Sequence, residues 1–422
     1  MMIDITRLAA WALGGKLATG IERVSLEYAR HFGARARALL RTPGRWVAFG
    51  SRDSRLVFES LLAAKGSRLD LLGTIARGYA LGWQPPMRSI LLNADYNGRE
   101  IPGYAARSRR RGLRPVFFVH DMIPFTSPEF CRLTAPLSIR RCLALSPAAR
   151  RELRRREATE ALDSHHRRMR AILAAAAGIV VSTEDTRRAL ERYAAAAGLA
   201  CPRCTAAPLA AARLPQPSPA SPLAHPYFVA LSTIQPRKNH ILLLRLWRYL
   251  IEELGDASPR LVLIGRRGWK FDPEADLLDR CERMREFVIE REHCEDAELS
   301  TWLRHARALL FPTFCEGYGM PLVEALGLGV PVIASDLAVF REIAGAVPDY
   351  LHPLDGPGWK RAILDYSRPH ATRRDEQLER MAGFRAPAWS DHFRRVEALL
   401  ESLEREPGAI GESLERAPRE AA

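Results

Sequence analysis

Short apolar runs alternate with longer amphipathic stretches along most of the chain. In the first half, Trp46–Phe49, Ser89–Asn93, Pro115–His120 and Gly178–Ser182 have the length and composition of strands. Gly20–Phe32 and the arginine-studded stretch 147–177 carry helical spacing. In the second half, strands are expected at Tyr227–Ser232, Arg260–Gly265, Ala308–Phe311 and Pro331–Ala334. They alternate with helices near 239–254, 296–305, 321–328 and 337–344. This alternation predicts parallel α/β layers. No short internal repeat interrupts it.

The run L-P-Q-P-S-P-A-S-P-L-A-H-P at 214–226 can sustain neither helix nor sheet ladder, so it marks a linker. The expected organisation is a domain over 1–213, the linker, and a second domain over 227–388. A helix over 389–405 and a polar tail over 406–422 complete the chain. Two Rossmann-like domains place a ligand in the cleft between their strand ends.

The length of 422 residues suits two domains, and a 47% hydrophobic composition supplies cores for both. Charge is divided unevenly between them. Residues 1–222 hold 36 Lys+Arg against 17 Asp+Glu, whereas the remainder holds 27 against 32. Only five of the bases are lysine, so phosphate chemistry here is mostly guanidinium chemistry. A basic half suits nucleic acid, an anionic membrane or a phosphorylated substrate, and composition does not choose among them.

Asp4 and Arg7 break any signal segment at the N-terminus, and the longest charge-free run, Leu214–Pro236, carries six prolines. Seven cysteines spread thinly through the chain point to a reducing compartment. The expected location is cytoplasmic, with peripheral attachment to the inner face of the membrane left open.

Candidate chemistry concentrates in the second half. Arg237 and Lys238 stand where the strand Tyr227–Ser232 hands over to the next helix. Backbone N–H groups and the helix dipole favour an anion there, and paired cations suit a diphosphate. A surface-exposed basic pair would give the same dipeptide. Further on, F-C-E-G-Y-G-M-P-L-V-E-A-L at 314–326 places Glu316 and Glu324 eight residues apart. Glu316 is expected in the loop after a strand, and Glu324 in the first turn of a helix that Pro321 helps to start. Gly317 and Gly319 permit close backbone approach, and two carboxylates suit the vicinal hydroxyls of a sugar or ribose. A capping acid plus a solvated helix acid is the plain alternative.

Together these elements resemble a specific family. R-K-N after a strand, E-G-Y-G-M-P-L-V-E-A, G-V-P-V-I-A-S and R-E-I-A-G resemble the C-terminal domain of the large retaining glycosyltransferase family often called family 4. The resemblance spans roughly 227–365 and implies the GT-B fold, two Rossmann-like domains facing across a cleft. I-D-I-T-R-L at 3–8, T-G-I-E-R-V at 19–24 and V-H-D-M-I-P at 119–124 are similar to the subgroup that builds bacterial surface polysaccharides.

The resemblance implies roles for individual residues. Glu316 would contact donor-sugar hydroxyls, and Glu324 would hold the nucleoside ribose. Arg237 and Lys238 would neutralise the donor diphosphate, and the backbone at Gly317, Tyr318, Gly319 and Met320 would lie along sugar and phosphates. In the first domain, Gly20 would open a helix facing the diphosphate, and His120 would hydrogen-bond the sugar near the reacting carbon, with Asp121 beside it. The resemblance also implies retention of configuration, with no metal and no other cofactor. No D-x-D triplet occurs in the chain.

The implied activity is transfer of a hexose, mannose or rhamnose, from a nucleotide-sugar to a glycan or lipid-linked acceptor. A GT-B sugar-nucleotide epimerase or hydrolase, and a non-catalytic binding protein of the same fold, are the alternatives. Cys201 and Cys204 form a lone C-x-x-C with no second pair. His165-His166 is expected to be solvated, and Trp269 to border the nucleotide or pack in the core. The helix from Trp389 is expected to return to the first domain. The arginines between Arg107 and Arg170 suit a solvated face or an anionic membrane surface. Nucleic acid is disfavoured, because aromatics are not interleaved with them.

Overall fold

Apolar runs too short to form helices pair into two sheets, each built around a strand whose neighbours come from distant parts of the chain. A computed structural model describes the chain except for residues 16–19, 43–44, 64–66, 96–100, 132–146, 270–271 and 406–422. For 101–103, 147–155, 157 and 272 it describes the backbone alone. The tail, Thr19 of the T-G-I-E-R-V motif and the side chains of the second arginine run other than Arg156 therefore lie outside the described residues.

The first sheet contains β1 (Met2–Asp4), β2 (Arg37–Arg41), β3 (Trp46–Ala48), β4 (Ile90–Asn93), β5 (Arg114–Val119), β6 (Gly178–Val181) and β7 (Cys204–Ala206). Its order is β3-β2-β1-β4-β5-β6-β7, parallel throughout except for the β2–β3 hairpin. The second sheet contains β8 (Tyr227–Leu231), β9 (Arg260–Ile264), β10 (Val288–Arg291), β11 (Leu309–Phe311), β12 (Val332–Ser335) and β13 (Asp349–Leu351). It is fully parallel, in the order β10-β9-β8-β11-β12-β13. In both sheets the strand order reverses beside the first strand, between β1 and β4 and between β8 and β11. A crevice opens at the carboxyl ends there.

Successive side chains of a strand serve opposite faces. On β5, Val116 and Phe118 join the core under the helix Gly20–Phe32, whereas Phe117 and Val119 join the core under the helix Pro147–Ala175. All eight expected strands form, to within two residues at their ends. β1, β2, β7, β10 and β13 were not expected. β1, β7 and β13 have three residues each, too few to show a period of two, and β1 ends on Asp4.

The proline-rich segment carries neither helix nor strand. It runs over the helix Asp296–Arg304, where the Ser218 N–H donates to Thr301 Oγ1 (3.0 Å) and its carbonyl oxygen meets His305 Nε2 (2.8 Å). The last helix, Trp389–Arg405, crosses back to the first domain as the sequence predicts. Val396, Leu399, Leu400 and Leu403 are buried in the core of the first sheet, and Leu399 and Leu403 touch the Cα side of Gly178 on β6. His392 is fully buried between the Ala207 carbonyl (3.0 Å) and the Tyr28 hydroxyl (3.1 Å).

Candidate functional site

The switch point of the second sheet assembles its charges from two loops. After β8, Pro236–Lys238 forms one turn of 3₁₀ helix. Asn239 then takes a left-handed conformation (φ 57°), and its side-chain amide donates to the Pro312 and Pro353 carbonyls (3.1 and 2.9 Å). This clamp joins the loop to the one after β11. Thr313 Oγ1 also donates toward the Arg237 carbonyl (2.9 Å), and the Phe314 N–H donates to the same oxygen (2.8 Å).

Arg237, Lys238 and Glu316 are thereby brought together. Lys238 Nζ binds Glu316 Oε1, which lies 3.1 Å from Thr313 Oγ1, and Arg237 Nη1 binds Oε2 at 2.9 Å. Arg237 Nη1 further donates to the Cys315 carbonyl (3.0 Å), and the ammonium lies 5.1 Å from the centre of the Phe311 ring. Burial alone would raise the Glu316 carboxyl. The two cations outweigh it and hold the group at about 2. Burial and the neighbouring guanidinium bring Lys238 down to about 8, against the pull of Glu316. Two cations and one carboxylate leave a buried cluster with net positive charge, ready for an anion.

Across the cleft stand His120 and Asp121, directly after β5. His120 Nε2 lies 2.8 Å from the Ala94 carbonyl oxygen. Burial lowers its pKa to about 4, so the ring is neutral at pH 7. The carbonyl can only accept, so Nε2 carries the proton and Nδ1 keeps a lone pair. Asp121 Oδ1 accepts from the Ile123 N–H (3.1 Å). Burial raises the Asp121 carboxyl, with Arg237 opposing, so the two halves of the cleft interact electrostatically.

Gly317 is what permits this approach. A Cβ there would sit 2.5 Å from the His120 carbonyl oxygen and 2.5 Å from Asp121 Cβ. Its carbonyl accepts from Ser182 Oγ (3.1 Å) and Thr186 Oγ1 (3.4 Å), both in the first domain. Tyr318 is buried, and its hydroxyl donates to the Leu209 carbonyl; the side chain therefore joins the domains, leaving only its backbone for a ligand. Gly319 caps the helix Met320–Gly327 at φ 113°, with Phe340 2.6 Å from where a Cβ would lie. A small cavity of about 160 Å³ lies beside the cluster, with Glu316 and Cys315 on one wall and Thr126, Asp185 and Arg192 on the other.

Glu324 has other neighbours. Pro321 does fall in the first turn of the helix, but Met320 already opens it, so Glu324 lies in the second turn and not the first. It is buried, and burial raises its carboxyl to about 7. Arg23 and the Ala212 N–H oppose that rise, and Asp296 reinforces it. Arg23 in turn pairs with Asp296 across the two domains. Gly20 begins the helix carrying Arg23, and a Cβ on it would meet nothing within 4 Å, so packing within the protein does not demand a glycine there.

The corresponding switch point of the first sheet was not anticipated as a cluster. Asp4, at the end of β1, forms a buried ion pair with Arg41 and accepts from Thr6 Oγ1 (2.7 Å) and Asn93 Nδ2 (3.3 Å). Arg7 binds Glu22 (2.7 Å). Ser25 donates to Asp95, whose carboxyl burial pushes up to about 6. Asn93 Oδ1 and Asp95 Oδ2 are buried without a hydrogen-bond partner. The motifs I-D-I-T-R-L and T-G-I-E-R-V supply Asp4, Thr6, Arg7 and Glu22, so those motifs were the available signal.

Other expectations resolve as follows. His166 Nδ1 meets the Tyr193 hydroxyl (3.0 Å) and His165 Nδ1 is buried, so the pair is half-buried against neighbouring elements. Trp269 Nε1 donates to Gln235 (3.1 Å), two residues from Arg237. Cys201 and Cys204 are free thiols at the β7 edge. Among the described residues, no group of three or more His, Cys, Asp or Glu is placed to hold a metal ion, and no helix is long and apolar enough to cross a membrane.

Residues 225–366 match the family described as glycosyl transferases group 1. The serotype-specific mannosyltransferase WbdA of Escherichia coli is 33% identical over 121 residues, 29% of this chain and 15% of that protein. The O-antigen chain mannosyltransferase B of Escherichia coli is 34% identical over 119 residues, 28% of this chain and 31% of that protein. The O-antigen chain mannosyltransferase RfbU of Salmonella typhimurium is 28% identical over 140 residues, 32% of this chain and 37% of that protein. The matched stretch thus covers well under half the length of each of these relatives.

Among solved structures, an α,α-trehalose-phosphate synthase (UDP-forming) from Burkholderia xenovorans superposes with a TM-score of 0.60 at 13% identity. The match covers 96% of this chain and 99% of that one. At that identity the likeness shows the fold, and the fold is GT-B.

Proposed function

We propose, from the match of residues 225–366 to glycosyl transferases group 1 and from the GT-B fold, that the protein is a hexosyltransferase. It moves a hexose, mannose or rhamnose, from a nucleotide-sugar to a glycan or lipid-linked acceptor of a bacterial surface polysaccharide, on the cytoplasmic side of the membrane. The identity of 28–34% over 28–32% of the chain to O-antigen and serotype-specific mannosyltransferases supports the sugar and the pathway class.

One observation carries the reading: the buried Arg237–Lys238–Glu316 cluster stands at the switch point of the second sheet, opposite His120 and Asp121. The donor diphosphate would exchange Glu316 for its own oxygens on Arg237 and Lys238, freeing the carboxylate toward the sugar hydroxyls. Paired with the two cations Glu316 is ionised, and the oxygens it releases from them can accept hydroxyl hydrogen bonds. His120 offers Nδ1 as an acceptor on the other side.

The chemistry is a same-face displacement. The bond from the anomeric carbon to the diphosphate oxygen breaks, and a bond to the acceptor oxygen forms. The acceptor proton passes to the departing phosphate. Charge develops on that phosphate, and fixed cations in a partly dry cleft stabilise it. The proposal therefore assigns to Arg237 and Lys238 the work a divalent metal would do, and requires no metal.

Turnover of GDP- and dTDP-linked hexoses tests the reading, with Lys238→Ala and Glu316→Ala as variants. Each is expected to lower transfer by about 10²–10³-fold. Near wild-type rates in both would remove the site assignment. Release of free sugar regardless of acceptor would favour a hydrolase.

A further inference from the structure

Seven large apolar side chains stand exposed among the described residues, and five of them fall between positions 69 and 87. Leu69 (79% exposed), Leu72 (50%) and Leu81 (73%) belong to the helix Arg68–Leu81; Trp83 and Met87 follow it. The helix is apolar on two sides. Leu71, Ile75 and Gly78 face the core, with Gly78 pressed on the Phe49 ring. Leu69, Leu72, Gly73, Ala76 and Ala80 face outward at spacings of three and four, a continuous stripe of one helix face. An apolar helix of this kind belongs in an interior, yet one side of it meets no part of the described chain.

Arginines frame the stripe. Arg45 lies over Tyr79 (5.4 Å) and reaches toward the Gly82 carbonyl, and Arg37 lies over Trp83 (5.9 Å). Residues 45–88 contain six arginines against three acids, and one of those acids, Asp53, is paired with Arg77. The patch is therefore a convex apolar ridge with a positive border. We infer that this ridge, Arg68–Leu81 with Trp83 and Met87, docks the first domain onto an anionic lipid bilayer.

Three features favour a bilayer over a second copy of the chain. The border is cationic, and two copies would oppose like charges, whereas anionic headgroups complement it. The outward stripe spans roughly 20 Å by 10 Å, well below the ~800 Å² per partner of a stable protein interface. A ridge suits a fluid surface that can close around it, with arginines rising to the headgroups as their stems stay in apolar contact. Position also fits: the Arg68 guanidinium lies beside Gly15, which ends the helix Thr6–Gly14 that follows β1.

This places membrane contact away from the arginine runs between 107 and 170. The helices Ile101–Arg110 and Pro147–Ala175 pack beside one another on the other face of the sheet, as Tyr104 and Met169 in its second core show. Leu71 and Ile75 belong to the first core.

Flotation with vesicles of phosphatidylcholine, with and without about 30 mol% phosphatidylglycerol, tests the inference. The wild-type chain is expected to float with the anionic vesicles at low salt, and less as salt rises. Leu69→Glu/Leu72→Glu/Leu81→Glu should reduce flotation by at least about tenfold, and Leu81→Glu alone by less. Arg109→Glu/Arg110→Glu should leave most of it. The three leucines are exposed, so a thermal melt should be unchanged by their replacement. Wild-type flotation by the leucine variant, or none by the native chain, would overturn the proposal. So would a native dimer that the leucine variant dissociates. The assay uses neither donor nor acceptor, so its outcome is separate from that of the transfer reaction.

Discussion

The two sheets present opposite charge at equivalent places. At the switch point of the second sheet, two cations share one carboxylate, and the balance is positive. At that of the first, Asp4, Glu22 and Asp95 gather with Arg41 and Arg7, and buried acceptor atoms on Asn93 and Asp95 are left over. Yet the first half of the chain is the strongly basic one. Net charge by sequence thus says little about the cleft. The side with more acids than bases gathers paired cations at its cleft, the place proposed for a diphosphate, and the basic side turns acids and acceptors inward. Its arginines lie on the outer helices and around the leucine ridge.

If the first cluster is scaffold and the second is binding machinery, substitutions at the two should separate stability from activity. The largest stability effect is expected from Asp4→Ala. It deprives the buried Arg41 guanidinium of the Asp4 carboxylate and should lower stability by about 3–5 kcal/mol, read by denaturant unfolding. Lys238→Ala should instead spare most of the stability and remove activity. A reversed pattern would break the distinction.

Next comes the contact that brings the two sides together. Gly317→Ala adds a methyl group against His120 and Asp121 and should push the domains apart. The expected loss in kcat/KM is at least about tenfold, since small displacements of reacting groups are costly. Wild-type kinetics in this variant would mean that the close approach is not used in catalysis.

The smallest effect concerns the two glutamates. Glu316 is held ionised at about 2, whereas Glu324 is raised to about 7. A carboxyl whose folded pKa lies above its unfolded value of about 4.5 makes the folded state bind more protons between those values. Its contribution to stability therefore falls as pH rises from about 4.5 to 7. Glu324→Gln should flatten that fall, by about 1–3 kcal/mol between pH 5 and pH 8. Thermal melts at the two pH values check it, and an unchanged difference would place Glu324 in a wetter setting.

Much of this was legible in the sequence, and the exceptions have physical causes. The second domain could be read because its strands are apolar on both faces and its loops carry paired charges at fixed spacing. β1 lies inside the first sheet, between β2 and β4, but has three residues, so its neighbours, and not its own pattern, define it. The pairing of Glu316 with both cations was hidden for a similar reason, as it depends on Asn239 and Thr313 clamping two loops together. His392 looked like an ordinary helix position, and only the return of the last helix gives it Tyr28 and Ala207 as partners. The leucine ridge left a trace in composition, since R-L-D-L-L-G-T-I-A-R-G-Y-A-L is apolar on two sides, but which side faces outward is a tertiary fact.

Calorimetric titration of a nucleoside diphosphate into the native chain and into Arg237→Met, Lys238→Met and Asp95→Asn tests the central assignment most directly. Loss of a charge-assisted contact should weaken binding by at least about tenfold in each of the first two variants and leave Asp95→Asn close to wild type. Undiminished binding in Arg237→Met and Lys238→Met, or binding abolished by Asp95→Asn, would contradict it.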